Sequence, residues 1–157
     1  MKKRLLVYPL ILLSIFLFYQ FGRGIWYPVA TKFMGKKTVA EVIETYSEPT
    51  LEELAPFFNK ESITYPPKKL ALVAFKDTNV LELWASNEDS KYKLITSYPI
   101  KAASGELGPK LREGDRQVPE GIYKIIGFNP NSSYHLSMKI NYPNEFDLKH
   151  AEAEGRD

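Results

Sequence analysis

The pattern of apolar and polar positions divides the chain into an apolar start, a helical stretch and a strand-rich remainder. Residues 5–21 (LLVYPLILLSIFLFYQF) form an almost unbroken apolar run that follows the basic cluster Lys2-Lys3-Arg4. A positive flank before a hydrophobic core is the pattern of an export signal or membrane anchor. At about 1.5 Å per residue, the run lies at the short limit for spanning a bilayer about 30 Å thick.

The residues after this run favour an uncleaved anchor over a cleaved signal peptide. Gly22-Arg23-Gly24-Ile25-Trp26 contains no small-residue processing pattern. Trp26 and Tyr27 lie where interfacial aromatic anchors are expected. The positive-inside rule then predicts a single-pass anchor in the inner membrane, with the rest of the chain in the periplasm or cell-wall space. A cleaved signal would make the protein secreted.

Two helices are predicted between the anchor and the strands. Thr38 with Glu41 is a capping box that begins the first helix, and Pro49 is expected to end it. Thr50 with Glu53 repeats the capping pattern before a second short amphipathic helix. The double proline that follows Tyr65 predicts an extended connector rather than more helix.

The remainder of the chain has strand-like periodicity and predicts a mainly β domain with short N-terminal helices. A three-stranded antiparallel meander is expected, followed by a glycine-spaced loop at 104–121 and two more strands. The expected strands cover residues 70–75, 80–84, 91–98, 122–128 and 134–141. A turn is expected at 129–133, and residues 142–157 have no further apolar run and are expected to form a loop.

Composition excludes several kinds of chemistry. The 157 residues contain no cysteine and two histidines, His135 and His150. Disulfides, thiolate zinc sites, iron–sulfur clusters, cysteine nucleophiles and three-histidine metal sites are therefore absent. The acidic tail has a spacing that fits no metal motif, so neither a metal nor a cofactor is predicted. The tail residues considered as ligands are Asp147, His150, Glu152 and Glu154.

Charge argues against a nucleic-acid partner. Seven of the 21 basic residues and none of the 19 acidic residues lie in residues 1–37. Residues 38–157 therefore carry 14 basic against 19 acidic residues, a net charge of −5. A nucleic-acid binder concentrates positive charge on its folded part, because contacts with phosphates supply most of its affinity.

The loop and its flanks leave function open when they are considered alone. The glycine-spaced loop lacks the phosphate-loop pattern and is best interpreted as a solvated, ordered loop. His135 at a strand start, with serines nearby in the sequence, leaves a Ser-His-Asp hydrolase open as a weak alternative. No G-x-S-x-G elbow supports that alternative.

Three segments resemble the catalytic domain of exported L,D-transpeptidases. They are KLALVAFKDTNVLELWA (69–85), YPIKAASGELGPKLREGDRQVPEGIY (98–123) and NPNSSYHLSMKINYPNEFD (129–147). The most specific elements are Gly105, Gly108-Pro109-Lys110, Glu113-Gly114-Asp115-Arg116 and Pro119-x-Gly121. The resemblance covers about 90 residues and implies the first half of the family's β-sandwich.

The resemblance also implies a function. The family uses a cysteine nucleophile, activated by a histidine, to transfer acyl groups between the stem peptides of peptidoglycan. Its His-Gly and [ST]-x-G-C elements would follow the point at which these residues end, so no turnover is expected from this chain as written. Residues implied as substrate-binding are Lys110, Arg116, Tyr134 and His135.

The expected organisation has three parts. Residues 1–37 form the basic tip, anchor and flank, residues 38–66 a helical lead-in, and residues 67–157 a partial catalytic domain. The expected partners are peptidoglycan stem peptides and, through residues 5–21, a membrane. A non-catalytic, membrane-anchored module that binds peptidoglycan or regulates its synthesis is the alternative function.

Overall fold

Helices and strands alternate in blocks along the part of the chain that the computed structural model describes, residues 7–88 and 91–156. Lys2-Lys3-Arg4 and the beginning of the apolar run lie outside the described residues. The helices are α1 (Val7–Phe21), α2 (Arg23–Met34), α3 (Val39–Lys60) and α4 (Glu145–Ala153). The strands are β1 (Lys69–Phe75), β2 (Val80–Ser86), β3 (Lys93–Pro99), β4 (Ile125–Ser132) and β5 (His135–Ile140).

The apolar run is helical, and Gly22 ends its helix. The Gly22 N–H donates to the Phe18 carbonyl at 2.7 Å, and a Cβ on Gly22 would lie 2.5 Å from that oxygen. Beyond the break, the Trp26 indole stacks on Tyr19 with ring centroids 5.2 Å apart and donates from Nε1 to the Tyr19 carbonyl at 3.2 Å. These contacts hold the start of α2 against the end of α1.

The described part of the chain contains no single helix with both the length and the apolar composition needed to cross a membrane. The stretches Tyr8–Phe21 and Gly24–Ala30 meet both requirements only as a pair, and they are bent by 79° at the break between them. The membrane anchor therefore stays a prediction.

The capping box at the start of α3 is confirmed. The Thr38 N–H donates to Glu41 Oε2 at 2.6 Å, and the Glu41 N–H donates to Thr38 Oγ1 at 3.2 Å. These two reciprocal bonds satisfy donors that a helix N-terminus otherwise leaves unpaired. The Thr38 N–H and hydroxyl together hold the pKa of Glu41 below its usual value.

The prediction that Pro49 ends this helix is wrong. Helix α3 runs to Lys60 with Pro49 and Pro56 inside it. An interior proline costs about 3 kcal/mol because it removes one backbone hydrogen bond and crowds the preceding turn. The last turns of α3 offset that cost by packing, since Phe58 is 1% exposed in the core and Leu54 packs against the same cluster.

The predicted meander is confirmed as a three-stranded antiparallel sheet of order β1-β2-β3. Strand β1 pairs with β2 from Lys69 opposite Ser86 to Phe75 opposite Val80, and a register shift in the β2–β3 pair lies at Leu83/Trp84. The core lies between this sheet and the end of α3. Its buried members are Phe58, Ile63, Leu83, Ala85 and Ile95.

The second sheet is the hairpin β4-β5, and its turn differs from the prediction. Strand β4 starts at Ile125 and continues through the turn expected at 129–133, so the chain reverses at Ser133-Tyr134 instead. Pro130 is tolerated inside β4 because each strand of a two-stranded sheet has one free edge, where the N–H that proline lacks is not needed for pairing.

The polar C-terminal segment forms a helix, contrary to the expected loop. The Asn144 side chain accepts from the N–H groups of Phe146 (2.9 Å) and Asp147 (3.2 Å), and Asp147 Oδ2 accepts from the Asn144 N–H at 2.8 Å. This capping box starts α4 without an apolar run. The described fold is thus mixed α and β with two small antiparallel sheets, and a β-sandwich is not confirmed.

The chain divides into two compact units, and the division falls inside α3. One unit contains the chain up to Thr45 together with Ile125–Lys139. Within it, Asn131 Oδ1 accepts from the Lys37 N–H at 2.8 Å and Asn131 Nδ2 donates to the Lys37 carbonyl at 2.9 Å. The other unit contains Tyr46–Lys124 and the chain from Ile140 onward, including the three-stranded sheet, the loop at 104–121 and α4.

Candidate functional site

The strongest concentration of polar contacts in the second unit lies in residues 104–121, here called the glycine loop. Asp115 is its centre. One carboxylate oxygen, Oδ1, accepts from Lys110 Nζ at 2.5 Å and from the Gln117 N–H at 2.9 Å. The other oxygen, Oδ2, accepts from the N–H groups of Leu111 at 2.9 Å and Arg112 at 3.0 Å.

These bonds determine the electrostatics of the loop. The Lys110 ammonium, followed by the backbone N–H groups, holds the pKa of Asp115 far below its ordinary value. Three N–H groups converging on one anion resemble the backbone concavities that proteins use to bind ligand anions. Here the protein's own carboxylate fills that position, and its charge is neutralised within the turn by Lys110.

Lys76, which follows the end of β1, joins the two sides of the glycine loop. Its Nζ donates to the carbonyls of Gly108 at 2.6 Å and Val118 at 3.2 Å and pairs with Glu120 Oε1 at 2.9 Å. The same Glu120 oxygen accepts from the Gly108 N–H at 3.0 Å. The ammonium of Lys76 is the largest cause of the lowered pKa of Glu120.

A shallow cavity of about 430 Å³ opens beside this ion pair. Its walls combine the end of β1 with the first part of the glycine loop, and Lys76 and Glu120 supply its charged groups. Since the Lys76 ammonium already has three acceptors, it is arranged to hold the loop rather than to bind a ligand at this cavity.

Gly105 is required by the close approach of Gln117. Its φ of 81° lies in the left-handed region, and a Cβ would meet Gln117 Oε1 at 1.7 Å. Gln117 Oε1 lies there because it accepts from the Glu106 N–H at 2.6 Å. The two ends of the glycine loop are therefore joined by a side-chain amide as well as by Lys76.

The C-terminal segment supports the loop from outside. Tyr142 Oη donates to the Lys110 carbonyl at 3.3 Å, and Arg156 Nη1 donates to the Leu111 carbonyl at 2.7 Å. Tyr123 Oη donates to Asp147 Oδ1 at 3.0 Å, which links the end of the loop region to the capping box of α4. Burial, followed by the Asp147 carboxylate, raises the pKa of Tyr123 to about 12.

The structure brings two of the four predicted substrate-binding residues into this loop. Lys110 is engaged within the loop, because its ammonium binds both Asp115 and the Arg112 carbonyl, the latter at 2.9 Å. Arg116 is exposed, has a φ of 57°, and makes no hydrogen bond or ion pair with any other described residue.

The other two residues lie in the first unit. Tyr134 is in the β4-β5 turn and is 82% exposed. His135 begins β5, and its side chain lies outside the described part of the structure, so a role for it in binding or in a Ser-His-Asp arrangement stays a prediction.

No group of three or more potential metal ligands occurs in residues 7–88 and 91–156. Among the tail residues considered as ligands, Asp147 is held in the capping box of α4. His150 stacks on Phe146, with ring centroids 4.8 Å apart.

Sequence reasoning missed Lys76, Tyr142 and Arg156. Their contacts are separated by 32 to 45 residues along the chain, so no local spacing identifies them. A partial signal was present for Tyr142, which lies two residues before the N-cap Asn144. An N-x-x-D pattern at 144–147 is a helix-start signature that the lack of an apolar run concealed.

Comparison with known proteins places part of this chain beside an L,D-transpeptidase. It is 38% identical over 78 residues to the protein named "Putative L,D-transpeptidase YafK" from Escherichia coli strain K12. The protein of the same name from Escherichia coli O157:H7 matches equally. The match covers 48% of this chain but 31% of each relative, so the chain spans about a third of the length of these curated relatives.

No family model and no solved structure matches the chain. The resemblance to L,D-transpeptidases inferred from the sequence motifs is nevertheless confirmed by these relatives.

Proposed function

We propose that this chain, related over about half its length to an L,D-transpeptidase, acts in the cell wall with the stem peptides of peptidoglycan as its ligand. The observation that carries this proposal is the 38% identity over 78 residues. The glycine loop supports it physically, because a loop held by Asp115, Lys76 and Gln117 offers a preorganised surface that loses little conformational entropy when a peptide binds.

The chemistry that these residues perform by themselves is the second part of the proposal. Acyl transfer in this family proceeds through a thioester on a cysteine, and the 157 residues contain no cysteine. An activated nucleophile with a base and oxyanion donors around it is required for that step. We therefore infer that the chain as written binds peptidoglycan but does not cross-link it.

In the alternative, binding of peptidoglycan or regulation of its synthesis is the function of a non-catalytic, membrane-anchored module, rather than what remains of an enzyme's activity. The glycine loop favours it, because Lys110 and Lys76 are both engaged in holding the loop rather than available for proton transfer. Such a module needs a stable surface and a free recognition group, and the loop supplies both.

The apolar N-terminal segment is the basis for the proposed localisation. Every side chain from Tyr8 to Phe21 is exposed, and a helix that is apolar on all sides needs either a protein core or a lipid environment. We propose that residues 5–21 anchor the chain in the inner membrane with the remainder on the periplasmic side. Carbonate-washed membranes should retain the full chain, and protease should reach it from the periplasmic side in spheroplasts. Recovery in the soluble cytoplasmic fraction would contradict this.

The function is tested with the full chain purified in detergent and incubated with peptidoglycan sacculi. We expect the chain to sediment with the sacculi, and muropeptide chromatography with mass spectrometry to detect no new cross-linked dimers. Failure to sediment would refute peptidoglycan as the ligand. Newly formed L,D-cross-links would refute the inferred inactivity, and labelling of a serine by a fluorophosphonate probe would support a hydrolase instead.

A further inference from the structure

One residue of the glycine loop combines an unfavourable backbone conformation with an unused charge. Arg116 has a φ of 57°, in the left-handed region that residues with a Cβ avoid. Its side chain is exposed and makes no hydrogen bond or ion pair with other residues in the described ranges. A non-glycine residue kept in such a conformation is a reason to look for a function.

The neighbours of Arg116 explain how this conformation persists. Asp115 accepts from the N–H groups of Arg112 and Gln117, one on each side of Arg116 along the chain. Gln117 is fixed in turn by its own side-chain bond to the Glu106 N–H. The backbone at Arg116 is therefore held from both directions by contacts in which its side chain takes no part.

The basic residues that already have partners in the loop help to define the role of Arg116. Lys110 neutralises Asp115, and Lys76 pairs with Glu120, so neither ammonium is available to a ligand. Arg116 is not used in this way. A guanidinium offers a planar fork of donors that matches a carboxylate through two parallel hydrogen bonds, which an ammonium does not.

We propose that Arg116 is the anion-recognition residue of the glycine loop and that it takes a carboxylate of the peptidoglycan stem peptide. This inference rests on the function proposed above. It adds the chemical group of the ligand, a carboxylate, and the residue that binds it. The left-handed backbone conformation costs stability at this position, and the guanidinium is left exposed to a planar anion.

The test compares Arg116→Gly, Arg116→Lys and a matched control, Ser62→Gly. Ser62 is also exposed and has a φ of 56°, but it carries no charge and lies outside the glycine loop. Both glycine variants relieve the same backbone strain, so each should raise the Tm by about 2–4 °C. Sedimentation with sacculi then shows whether a change in binding comes from the altered backbone or from the loss of the guanidinium.

We expect Arg116→Gly to weaken binding to sacculi by about tenfold, in line with the loss of a charge-assisted bond. Arg116→Lys should bind with intermediate affinity, and Ser62→Gly should bind like the wild type. Sacculi whose carboxylates have been converted to amides with a carbodiimide and ammonia should bind the wild type as weakly as native sacculi bind Arg116→Gly. That variant should be insensitive to amidation.

Three results overturn the inference. Wild-type affinity in Arg116→Gly would overturn it, and so would amidation that weakens binding of the wild type and of Arg116→Gly by the same factor. A loss of affinity in Ser62→Gly equal to that in Arg116→Gly would assign the effect to backbone change. If the wild type itself fails to bind native sacculi, the proposed function falls together with this inference, a result distinct from the other three.

Discussion

The carboxylate of Asp115 accepts a hydrogen bond from the ammonium of Lys110 at 2.5 Å, and the two residues are only five positions apart along the chain. The pair is mostly shielded from solvent, since the side chains are 15% and 18% exposed. It converts two charged residues of a glycine-rich segment into the internal support of a turn. The loop is therefore ordered by its own charges rather than by an apolar core.

Replacing Asp115 should release this turn. In Asp115→Asn the Lys110 ammonium loses its anion. The amide has one acceptor oxygen, whereas the two carboxylate oxygens accept from four donors. We expect trypsin to cleave after Arg112 and Arg116 several-fold faster in the folded protein. Glu113→Gln is the control, because Glu113 is exposed and makes no hydrogen bond or ion pair with another described residue. Equal cleavage rates in the two variants would show that Asp115 does not hold the loop.

Acid should weaken the same region in a defined direction. The pKa values of Asp115 and Glu120 are lowered by Lys110 and Lys76, so folding favours the ionised carboxylates. Their contribution is complete above the unfolded values near 4 and is lost as the pH falls through the lower folded values. The Tm measured by circular dichroism should therefore decrease as the pH is lowered below about 4.

The matched experiment on acid stability uses the double variant Asp115→Asn, Glu120→Gln. Its Tm should depend less steeply on pH below about 4, because the two carboxylates that bind protons on acid unfolding have been removed. Parallel curves for the double variant and the wild type would assign the acid sensitivity to other groups.

Local signals predicted the fold well where the stabilising contacts are themselves local. The bonds between Thr38 and Glu41 span one helical turn, so the sequence suffices to locate the start of α3. The meander β1-β2-β3 is similarly local, because apolar runs and short polar turns determine its pairing. The glycine loop was located correctly on its glycines and prolines.

The failures occur where distant packing or hydrogen bonding decides the structure. Pro49 is a local stop signal, but burial of Phe58 against the sheet extends the helix past it. Lys76 gives no sequence signal for its bond to the Gly108 carbonyl, 32 residues away. The candidate site was therefore predicted as a segment, but the engagement of Lys110 and the freedom of Arg116 required three-dimensional contacts.

Pro49→Ala should stabilise the protein. Alanine restores an N–H inside α3 and removes the crowding of the proline ring, and its helix propensity is about 3 kcal/mol more favourable. Proline also restricts the unfolded chain, which offsets part of this gain. We expect a net increase of about 1 kcal/mol in the free energy of unfolding by urea denaturation, with a stronger helical circular dichroism signal. Glu48→Ala is the control for the change to alanine at a neighbouring helical position, and a lower stability in Pro49→Ala than in the wild type would show that the fold requires the proline.

Tyr123 should report on the link between the glycine loop region and α4 at high pH. Burial and the Asp147 carboxylate raise its pKa to about 12, above the ordinary value of about 10, so folding favours the neutral phenol. Its contribution to stability is complete below pH 10 and is lost as the pH rises through about 12. In a tyrosinate absorbance titration, the difference between the wild type and Tyr123→Phe should show one phenol ionising near pH 12. The control Tyr134→Phe removes the hydroxyl of an exposed tyrosine in the hairpin turn and should leave this late step unchanged. If the Tyr123→Phe difference is centred near pH 10, the phenol does not donate to Asp147 in solution, and the connection from the loop region to the capping box is absent.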